Sequence, residues 1–350
     1  MTVRAVRGFE DATITASLGV YAGSAHSFST SVVHQTLSGY GGAQSLKITG
    51  VDNYKVSGLG TLAAGDKLHV AIYIENPTIN GSLFASAYDG TDTVQASLFE
   101  ILGSDMLGRV RRGAVASGAL LATSGTAVAR DTWNTYKVVA TCREAASSGR
   151  IQVYLNGGTA TWLDTGASVD CRNTTTDDFR HIRFGHTGNN ATGLYFDDIY
   201  WVSSGETLPD EPLYIVGLRP NADGATVNST PSTGTDRYAM VDENPISTSD
   251  YNEIGTAGNE DHLGLTNLSA TPTSILCVAP FVYATGDGTI TNGRTLLNSN
   301  GTTSYGTNQP LTNGGTYSVF YDHYLLDPDG SVAWAASKVN ALLAGYEANT

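Results

Sequence analysis

The chain has 350 residues, of which 41% are apolar and only 15% charged, so it can bury a sizeable core and is not an acidic disordered chain. Its net charge is −14, and residues 211–350 carry 14 acidic and four basic side chains, which excludes a surface that neutralises nucleic-acid phosphates. No run approaches the roughly 20 apolar residues of a membrane helix, and the N-terminus lacks the apolar segment of a signal peptide, so we expect no membrane insertion and synthesis in a cytoplasm.

Period-two alternation predicts a series of β-strands in the first 203 residues. The 40 glycines outnumber the 19 lysines and arginines, a composition that favours many short strands over helices. A Gly/Ser/Ala-rich stretch at 103–130, which contains the patch Arg109–Arg112, is interpreted as a long loop or a weak hairpin. The predicted strands are 69–75, 83–88, 94–102, 136–142, 151–155, 181–184 and 195–202.

Residues 204–212 are polar and contain Gly and Pro, which predicts a linker. Strands are predicted again at 213–218, 274–282 and 317–321. Ser331 can cap a helix whose apolar residues recur at helical spacing as far as Tyr346. The chain is therefore predicted to be all-β, with domains at 1–203 and 213–350 and a short C-terminal helix.

Several segments of the first half resemble a concanavalin-A-like or laminin-G-like jelly roll. The opening Gly8–Glu10 and Gly42–Ile48 are similar to the start of such domains, and Leu194–Trp201 is similar to their closing strand. Asp131–Val139 and Gly149–Gly157 are similar to strands between these ends. The resemblance implies one jelly-roll β-sandwich over residues 1–203.

A second resemblance covers the other half. Asp223–Thr226, Tyr238–Pro245 and Asp327–Trp334 are similar to parts of a domain that follows such jelly rolls in virion proteins of tailed bacteriophages. The resemblance implies a second jelly-roll-like β-sandwich domain. It also implies a structural protein on the surface of a tailed-phage virion, either a head decoration or fibre or a tail-associated protein.

The sequence carries no recognisable catalytic motif. Glycosidases of the jelly-roll type use paired carboxylates held at a defined separation, and no matching run of acidic residues occurs here. The adjacent pairs Asp242-Glu243 and Glu260-Asp261 would point to opposite faces of a strand. Three cysteines without metal-ligand spacing are interpreted as reduced, buried thiols. We therefore expect a protein that is not an enzyme.

A structural calcium ion is implied by the resemblance to carbohydrate-binding jelly rolls. Such domains often bind Ca²⁺ through a Glu near the N-terminus and an Asp on the closing strand. Glu10, Asp197 and Asp198 occupy the corresponding positions, and carboxylate oxygens are suitable calcium ligands. The alternative is that one Asp forms hydrogen bonds at the edge of the sheet and the other faces solvent.

A glycan site is a further hypothesis, because exposed aromatic rings can stack on sugars. Trp133 and Trp201 are better explained as core residues. Trp162 follows a turn and is the candidate for an exposed, glycan-binding ring.

The function predicted from these observations is a non-enzymatic structural protein at the virion surface. Its partners would be other capsid or tail proteins, and homo-oligomerisation is expected; a trimer fits many positions on such particles. The alternative is a host-glycan-binding adhesin or receptor-binding module. A polysaccharide depolymerase is the third hypothesis.

Overall fold

The computed structural model divides the chain into two compact units, which meet in sequence between Val216 and Gly217. The first unit contains residues 3–7 and the described residues from 24 to 216, and the second contains 20–21 and the described residues from 217 onwards. The predicted linker 204–212 lies outside the described residues, so the predicted domain limits stay a prediction. The structure describes residues 3–7, 20–21, 24–28, 32–35, 45–48, 53–56, 66–74, 82–89, 91, 93–141, 148–174, 181–186, 194–202, 213–243, 247–315 and 317–350.

Most of the described first unit lies in β-strands, since its apolar residues alternate with polar ones. In the described residues up to 202, the strands, of which β2 belongs to the second unit, are β1 (Val3–Arg7), β2 (Val20–Tyr21), β3 (Ser24–Phe28), β4 (Val32–Gln35), β5 (Ser45–Ile48), β6 (Asn53–Val56), β7 (Asp66–Ile74), β8 (Ser82–Tyr88), β9 (Val94–Leu102), β10 (Leu107–Arg112), β11 (Ala119–Ala127), β12 (Trp133–Thr141), β13 (Arg150–Leu155), β14 (Leu163–Asp164), β15 (His181–His186) and β16 (Leu194–Val202).

Two antiparallel sheets make up the first unit. One has the strand order β14-β13-β12-β7-β16-β5-β4, and β1 also pairs with β16. The other has the order β11-β10-β9-β8-β15-β6-β3. Strands β10 and β11 form a hairpin within 103–130, which confirms the second of the two interpretations of that stretch.

Aromatic rings join the two sheets face to face. Phe99 of β9 stacks on Tyr136 of β12 with ring centroids 5.0 Å apart, and Phe184 of β15 meets Phe196 of β16 at 5.7 Å. All four side chains are fully buried. Because the partners in each pair come from different sheets, the core lies between the sheets, as in a β-sandwich. The predicted all-β, jelly-roll-like fold class is confirmed.

The second unit is also built mainly from strands. They are β17 (Pro220–Val227), β18 (Thr230–Pro231), β19 (Asn252–Glu253), β20 (Glu260–Leu265), β21 (Phe281–Ala284), β22 (Asn292–Ser299), β23 (Thr302–Tyr305), β24 (Gln309–Pro310), β25 (Ser318–Tyr321) and β26 (Leu343–Asn349), with a 3-10 helix at Tyr238–Met240 and the helix α1 at Ala336–Val339.

An antiparallel six-stranded sheet is the centre of the second unit. Its order is β17-β20-β26-β22-β23, and β24 also pairs with β22. Strand β25 pairs with β21 antiparallel and with β2 parallel. The buried Phe320 of β25 faces β22, where a Cβ on Gly293 would lie 3.1 Å from its Cζ. One face of the β21–β25 pair therefore packs against the large sheet.

The predicted helix at the C-terminus is present but much shorter than its apolar spacing suggested. It covers only Ala336–Val339, and Leu343–Asn349 forms β26 between β20 and β22. Trp334 precedes the helix and is 5% exposed, and it belongs to a core cluster with Leu297, Val339 and Leu342. The apolar residues thus pack into one core from a loop, a helix turn and a strand, and the extended helix to Tyr346 was a wrong prediction.

Two other predicted strands of the second half were wrong or misplaced. Residues 213–218 form no strand, and Tyr214 and Val216 are 56% and 45% exposed, so their alternation does not reflect a buried face. In 274–282, the strand begins only at Phe281, preceded by isolated bridges at Ile275 and Val278. No helix in the described part of the chain is long and apolar enough to cross a membrane.

Candidate functional site

Asp197 and Asp198 are both buried, although neighbouring residues of a regular strand point to opposite faces. The pairing of β16 with β7 shifts register between Asp197 and Tyr200, and Asp198 has a φ of 48°. The strand is therefore bulged at this point, and both carboxyl groups are shielded from solvent. The alternative of one solvent-facing Asp is therefore wrong.

Hydrogen bonds hold both aspartates of this bulge. The Asp198 backbone N–H donates to Asp197 Oδ1 over 2.8 Å, and the Ile215 N–H donates to Asp198 Oδ1 over 2.9 Å. Glu10, the third predicted ligand, lies outside the described residues. Within the described ranges, no three His, Cys, Asp or Glu side chains come together as a metal site. Calcium binding by Glu10, Asp197 and Asp198 stays a prediction.

Trp162, the candidate glycan residue, is partly buried and packs at the edge of the first sandwich. Its Nε1 donates to the Thr126 carbonyl over 2.9 Å. Its ring lies against Gly108, where a Cβ would come within 2.1 Å of the indole, and meets Tyr136 edge-on at 5.9 Å. These contacts give Trp162 a structural role, and its glycan role stays a prediction.

Aromatic side chains form a row on the second unit that the sequence analysis did not identify as a site. Phe281 lies directly opposite Tyr321 in the β21–β25 pair, and Tyr283 lies opposite Val319. Because alternate residues share a face, Tyr317 lies on this face too. We call Phe281, Tyr283, Tyr317 and Tyr321 the aromatic face.

The rings of the aromatic face are arranged in two nearly parallel pairs. Tyr283 and Tyr317 stack with centroids 4.6 Å apart and planes inclined by 14°, and Phe281 and Tyr321 lie 6.3 Å apart at 12°. Phe281 is 40% exposed, whereas the three tyrosines are partly buried. Since Phe320 occupies the opposite face, these rings are directed away from the large sheet.

A shallow polar cleft of about 280 Å³, wide open to solvent, adjoins one end of the aromatic face. His323 links the two features, because its ring meets Tyr321 edge-on at 5.0 Å and also lines the cleft. Asp322 accepts hydrogen bonds from Thr295 Oγ1 at 2.6 Å and from the Thr307 N–H at 3.0 Å. The cleft is lined by Tyr305, Gly306, Thr307, Asp322, His323 and Tyr324.

Glycine at position 306 allows the carboxylate of Asp322 to lie close to the backbone. A Cβ at this position would come within 1.9 Å of Asp322 Oδ2 and 2.3 Å of Thr295 Oγ1. The Gly306 N–H also donates to the Thr295 carbonyl over 2.8 Å. Any larger residue would displace the carboxylate from the wall of the cleft.

The tyrosines around the cleft have raised pKa values. Burial raises the pKa of Tyr283 and of Tyr324, with smaller effects from Tyr317 and Asp322 respectively. A hydrogen bond to Glu260 raises the pKa of Tyr305. Because an ordinary tyrosine already has a pKa of about 10, these phenols stay neutral at physiological pH and keep their O–H donors.

A period-two aromatic pattern was the sequence signal for this site. Phe281 and Tyr283 are two positions apart, and Tyr317, Val319 and Tyr321 also follow at intervals of two positions. Such spacing predicts a shared face within each segment. That the two segments pair with each other depends on contacts across more than thirty residues.

No protein-family model and no curated protein matches the chain. Among solved structures, the carbohydrate-binding module CBM66 from Bacillus subtilis is 12% identical, with a TM-score of 0.33 over 51% of this chain and 96% of that chain. A legume lectin-like domain from Entamoeba histolytica is 8% identical, with a TM-score of 0.36 over 51% and 89%.

An endo-1,3-β-glucanase from Streptomyces sioyaensis is 12% identical, with a TM-score of 0.37 over 58% of this chain and 96% of that chain. At such identities and TM-scores, these similarities concern the fold at most, and no ligand, activity or origin is transferred from them. The predicted virion assignment gains no support from these comparisons and stays a prediction.

Proposed function

We propose that this protein is a non-enzymatic glycan-recognition module that binds polysaccharide on the aromatic face of its second unit. This corresponds to the alternative function predicted from the sequence. The proposal rests on one observation: the four rings of the aromatic face form two stacked pairs, and a polar cleft lies beside them. The virion role has no comparable feature behind it.

Aromatic rings suit sugars because the two surfaces are electrostatically complementary. The face of an aromatic ring carries negative partial charge, and the C–H bonds on one side of a pyranose carry positive partial charge. Phe281 is the most exposed ring of the aromatic face and gives a starting point for such a contact. Tyrosine adds a hydroxyl that can bond to a sugar hydroxyl while its ring stacks.

The cleft supplies the polar contacts that a sugar needs in addition to stacking. Asp322 has its carboxylate positioned by Thr295 and Thr307, and His323 lies beside Tyr321. Binding sites commonly combine aromatic walls with a few well-placed polar groups that fix orientation. We infer that one sugar ring stacks near Tyr321 while its hydroxyl groups bond within the cleft.

The non-enzymatic part of the proposal is supported by the interactions of a pair of carboxylates on neighbouring strands of the second unit. Glu260 and Glu347 lie opposite each other across β20 and β26. Glu347 is ion-paired with Arg294 at 2.6 Å, and Glu260 accepts a hydrogen bond from Tyr305 at 2.9 Å and contacts His262. Carboxylates engaged in this way are held as a structural network.

The test is binding of the purified protein to a panel of bacterial polysaccharides by glycan array and affinity electrophoresis. We expect binding that is weakened about tenfold or more in a Phe281→Ala/Tyr283→Ala double variant. A pair of aromatic rings contributes about 0.5–1.5 kcal/mol beyond area burial; with ring–sugar contacts of similar strength, the loss of two contacts amounts to about 1.4 kcal/mol or more, a tenfold change.

Tyr251→Ala is the matched control, because Tyr251 is 46% exposed in the same unit but lies outside the aromatic face. It should bind as the wild type does. Equal binding by the double variant and the wild type, or no binding across the panel, would overturn the site. Release of reducing ends from a bound polysaccharide would overturn the non-enzymatic assignment.

A further inference from the structure

The loop Asp327–Ser331 lies between β25 and α1, and a backbone hydrogen bond connects its two ends. The Asp327 N–H donates to the Val332 carbonyl over 2.8 Å, and Asp327 Oδ1 accepts a hydrogen bond from the Asp329 N–H over 2.9 Å. Gly330 and Ser331 have φ values of 91° and 54°. The loop therefore holds two carboxylates on a short, turned backbone.

Asp327 is the unusual residue of this loop, because its side chain is completely buried and half of its carboxylate is unused. It is 0% exposed, and Oδ2 has no hydrogen-bond partner. A buried carboxylate oxygen that has lost water and gained no partner is costly, so such atoms are normally satisfied by a donor or a metal ion.

A second unused oxygen lies in the same corner of the unit. Ser299 at the end of β22 is 1% exposed, and its Oγ likewise has no partner. The next residue, Asn300, donates from Nδ2 to Asp329 Oδ2 over 3.1 Å. The end of β22 and the 327–331 loop are thus in direct contact, and both present buried oxygen atoms.

The charges of this corner do not balance. Among the described residues, Lys338 of α1 forms an ion pair with Asp329 and also interacts electrostatically with Asp327. The Asp329 pair is partly exposed, with side chains 36% and 29% accessible. One ammonium group against two carboxylates leaves a net negative charge beside the buried oxygen of Asp327.

We propose that Asp327 and Asp329, with the side-chain oxygens of Ser299 and Asn300, form a calcium site in the second unit. All four supply hard oxygen ligands, and Ca²⁺ accepts carboxylate, amide, backbone and water oxygens in a flexible geometry. Mg²⁺ requires a stricter octahedron and binds poorly to such a set. Lys338 occupies the partly exposed edge of the site and competes for Asp329.

This site is distinct from the calcium site predicted at Glu10, Asp197 and Asp198, and one experiment separates them. Protein stripped with EDTA is titrated with CaCl₂ by calorimetry, and its Tm is followed in parallel. We expect Asp327→Asn to weaken calcium binding to this site at least tenfold. Asp198→Asn should leave that binding unchanged.

The variant Lys338→Gln should change the calcium affinity in the direction opposite to Asp327→Asn. Removing the competing ammonium should tighten calcium binding severalfold and enlarge the rise in Tm, which simple damage to the fold would not do. Asp287→Asn is the control, because Asp287 accepts two backbone hydrogen bonds in an exposed loop of the same unit.

Four results would overturn the proposal. The first three are no calcium response in either the wild type or Lys338→Gln, an unchanged response in Asp327→Asn, and loss of the response only in Asp198→Asn. A Tm raised equally by CaCl₂ and MgCl₂ in all variants would show a general salt effect and would also overturn it.

Discussion

The indole of Trp162 makes two contacts that mutation can separate. Its N–H bonds to the Thr126 carbonyl, and its ring fills the space above Gly108 beside Tyr136. Trp162→Phe keeps much of the ring contact and removes the donor. We expect the free energy of unfolding to fall by about 1 kcal/mol, the usual net worth of one hydrogen bond.

Urea unfolding monitored by circular dichroism measures this difference. Trp162→Ala should cost a few kcal/mol more, because it also opens a cavity beside the fully buried Tyr136. If Trp162→Phe and Trp162→Ala kept wild-type stability but lost glycan binding, Trp162 would be a sugar ligand, and the structural interpretation would be wrong.

At the scale of single elements, β26 is a strand in a segment whose apolar spacing predicts a helix. Its residues Leu343 and Tyr346 also fit a helical face, but β26 pairs with both β20 and β22. Gly345 distinguishes the two states. A Cβ on Gly345 would lie 1.7 Å from the Asp261 carbonyl oxygen, because the two backbones approach closely.

We therefore expect Gly345→Ala to lower the free energy of unfolding by more than about 3 kcal/mol, since the clash is with backbone atoms. In a helix, the same change would instead stabilise the protein by up to about 1 kcal/mol. Thermal and urea unfolding decide between these signs. Gly255→Ala is the control, because a Cβ on Gly255 would meet no atom within 4 Å. An unaffected or stabilised Gly345→Ala would contradict the strand.

Seven strands of the first unit could be predicted, because their apolar residues recur at alternate positions, whereas shorter strands such as β6 and β14 were not predicted. The limits of β9, Val94–Leu102, agree with the prediction, and Leu68, Val70 and Ile72 of β7 are buried at alternate positions. Strand β22 was missed because its buried residues include Thr295 and Ser299, which do not stand out as apolar. A strand that buries small polar residues carries no hydrophobic period.

The candidate site belongs to the scale of the whole molecule, because it depends on pairings between distant segments. Phe281 and Tyr321 are forty positions apart and become neighbours only through the register of β21 and β25. Likewise, the contact of Asn300 with Asp329 forms only after β22 and the 327–331 loop are placed. Single-sequence patterns predict which face a residue occupies, but pairing across long separations is decided by packing and loop geometry.

The acidic composition also acts on the whole molecule, and it predicts how stability changes with pH. Burial alone would raise the pKa of Asp89, but hydrogen bonds from Thr93, Thr91 and Gln95 outweigh it and hold that pKa below its usual range. Bonds from Arg109 and Arg150 lower the pKa of Asp105 and Asp164 respectively. Burial raises the pKa of Glu243 instead.

Lowered and raised carboxyl pKa values have opposite effects on how stability changes with pH. A carboxylate whose pKa is lowered on folding stabilises the protein above its unfolded pKa of about 3.9, and this contribution is lost as pH falls through the folded value. Glu243, whose pKa is raised on folding, instead stabilises the folded state as the pH falls into the range just above about 4.3. The net negative charge of the protein also decreases in this range, which reduces the repulsion between its acidic groups. We expect the Tm to change little from pH 6 to 4.5 and to drop steeply below about pH 4.

Asp89→Asn tests the residue-level origin of this drop. Asn cannot replace a carboxylate that accepts hydrogen bonds on both oxygens, so the variant should melt below the wild type at pH 6. The two Tm curves should approach each other only below the usual carboxylate range, as the pH falls through the lowered pKa of Asp89. Asp236→Asn, at an exposed position, should follow the wild type throughout. A Tm difference between Asp89→Asn and the wild type that stays constant even at pH values where the wild-type carboxylate is shown to be protonated would mean that packing, and not ionisation, stabilises this corner of the first sandwich.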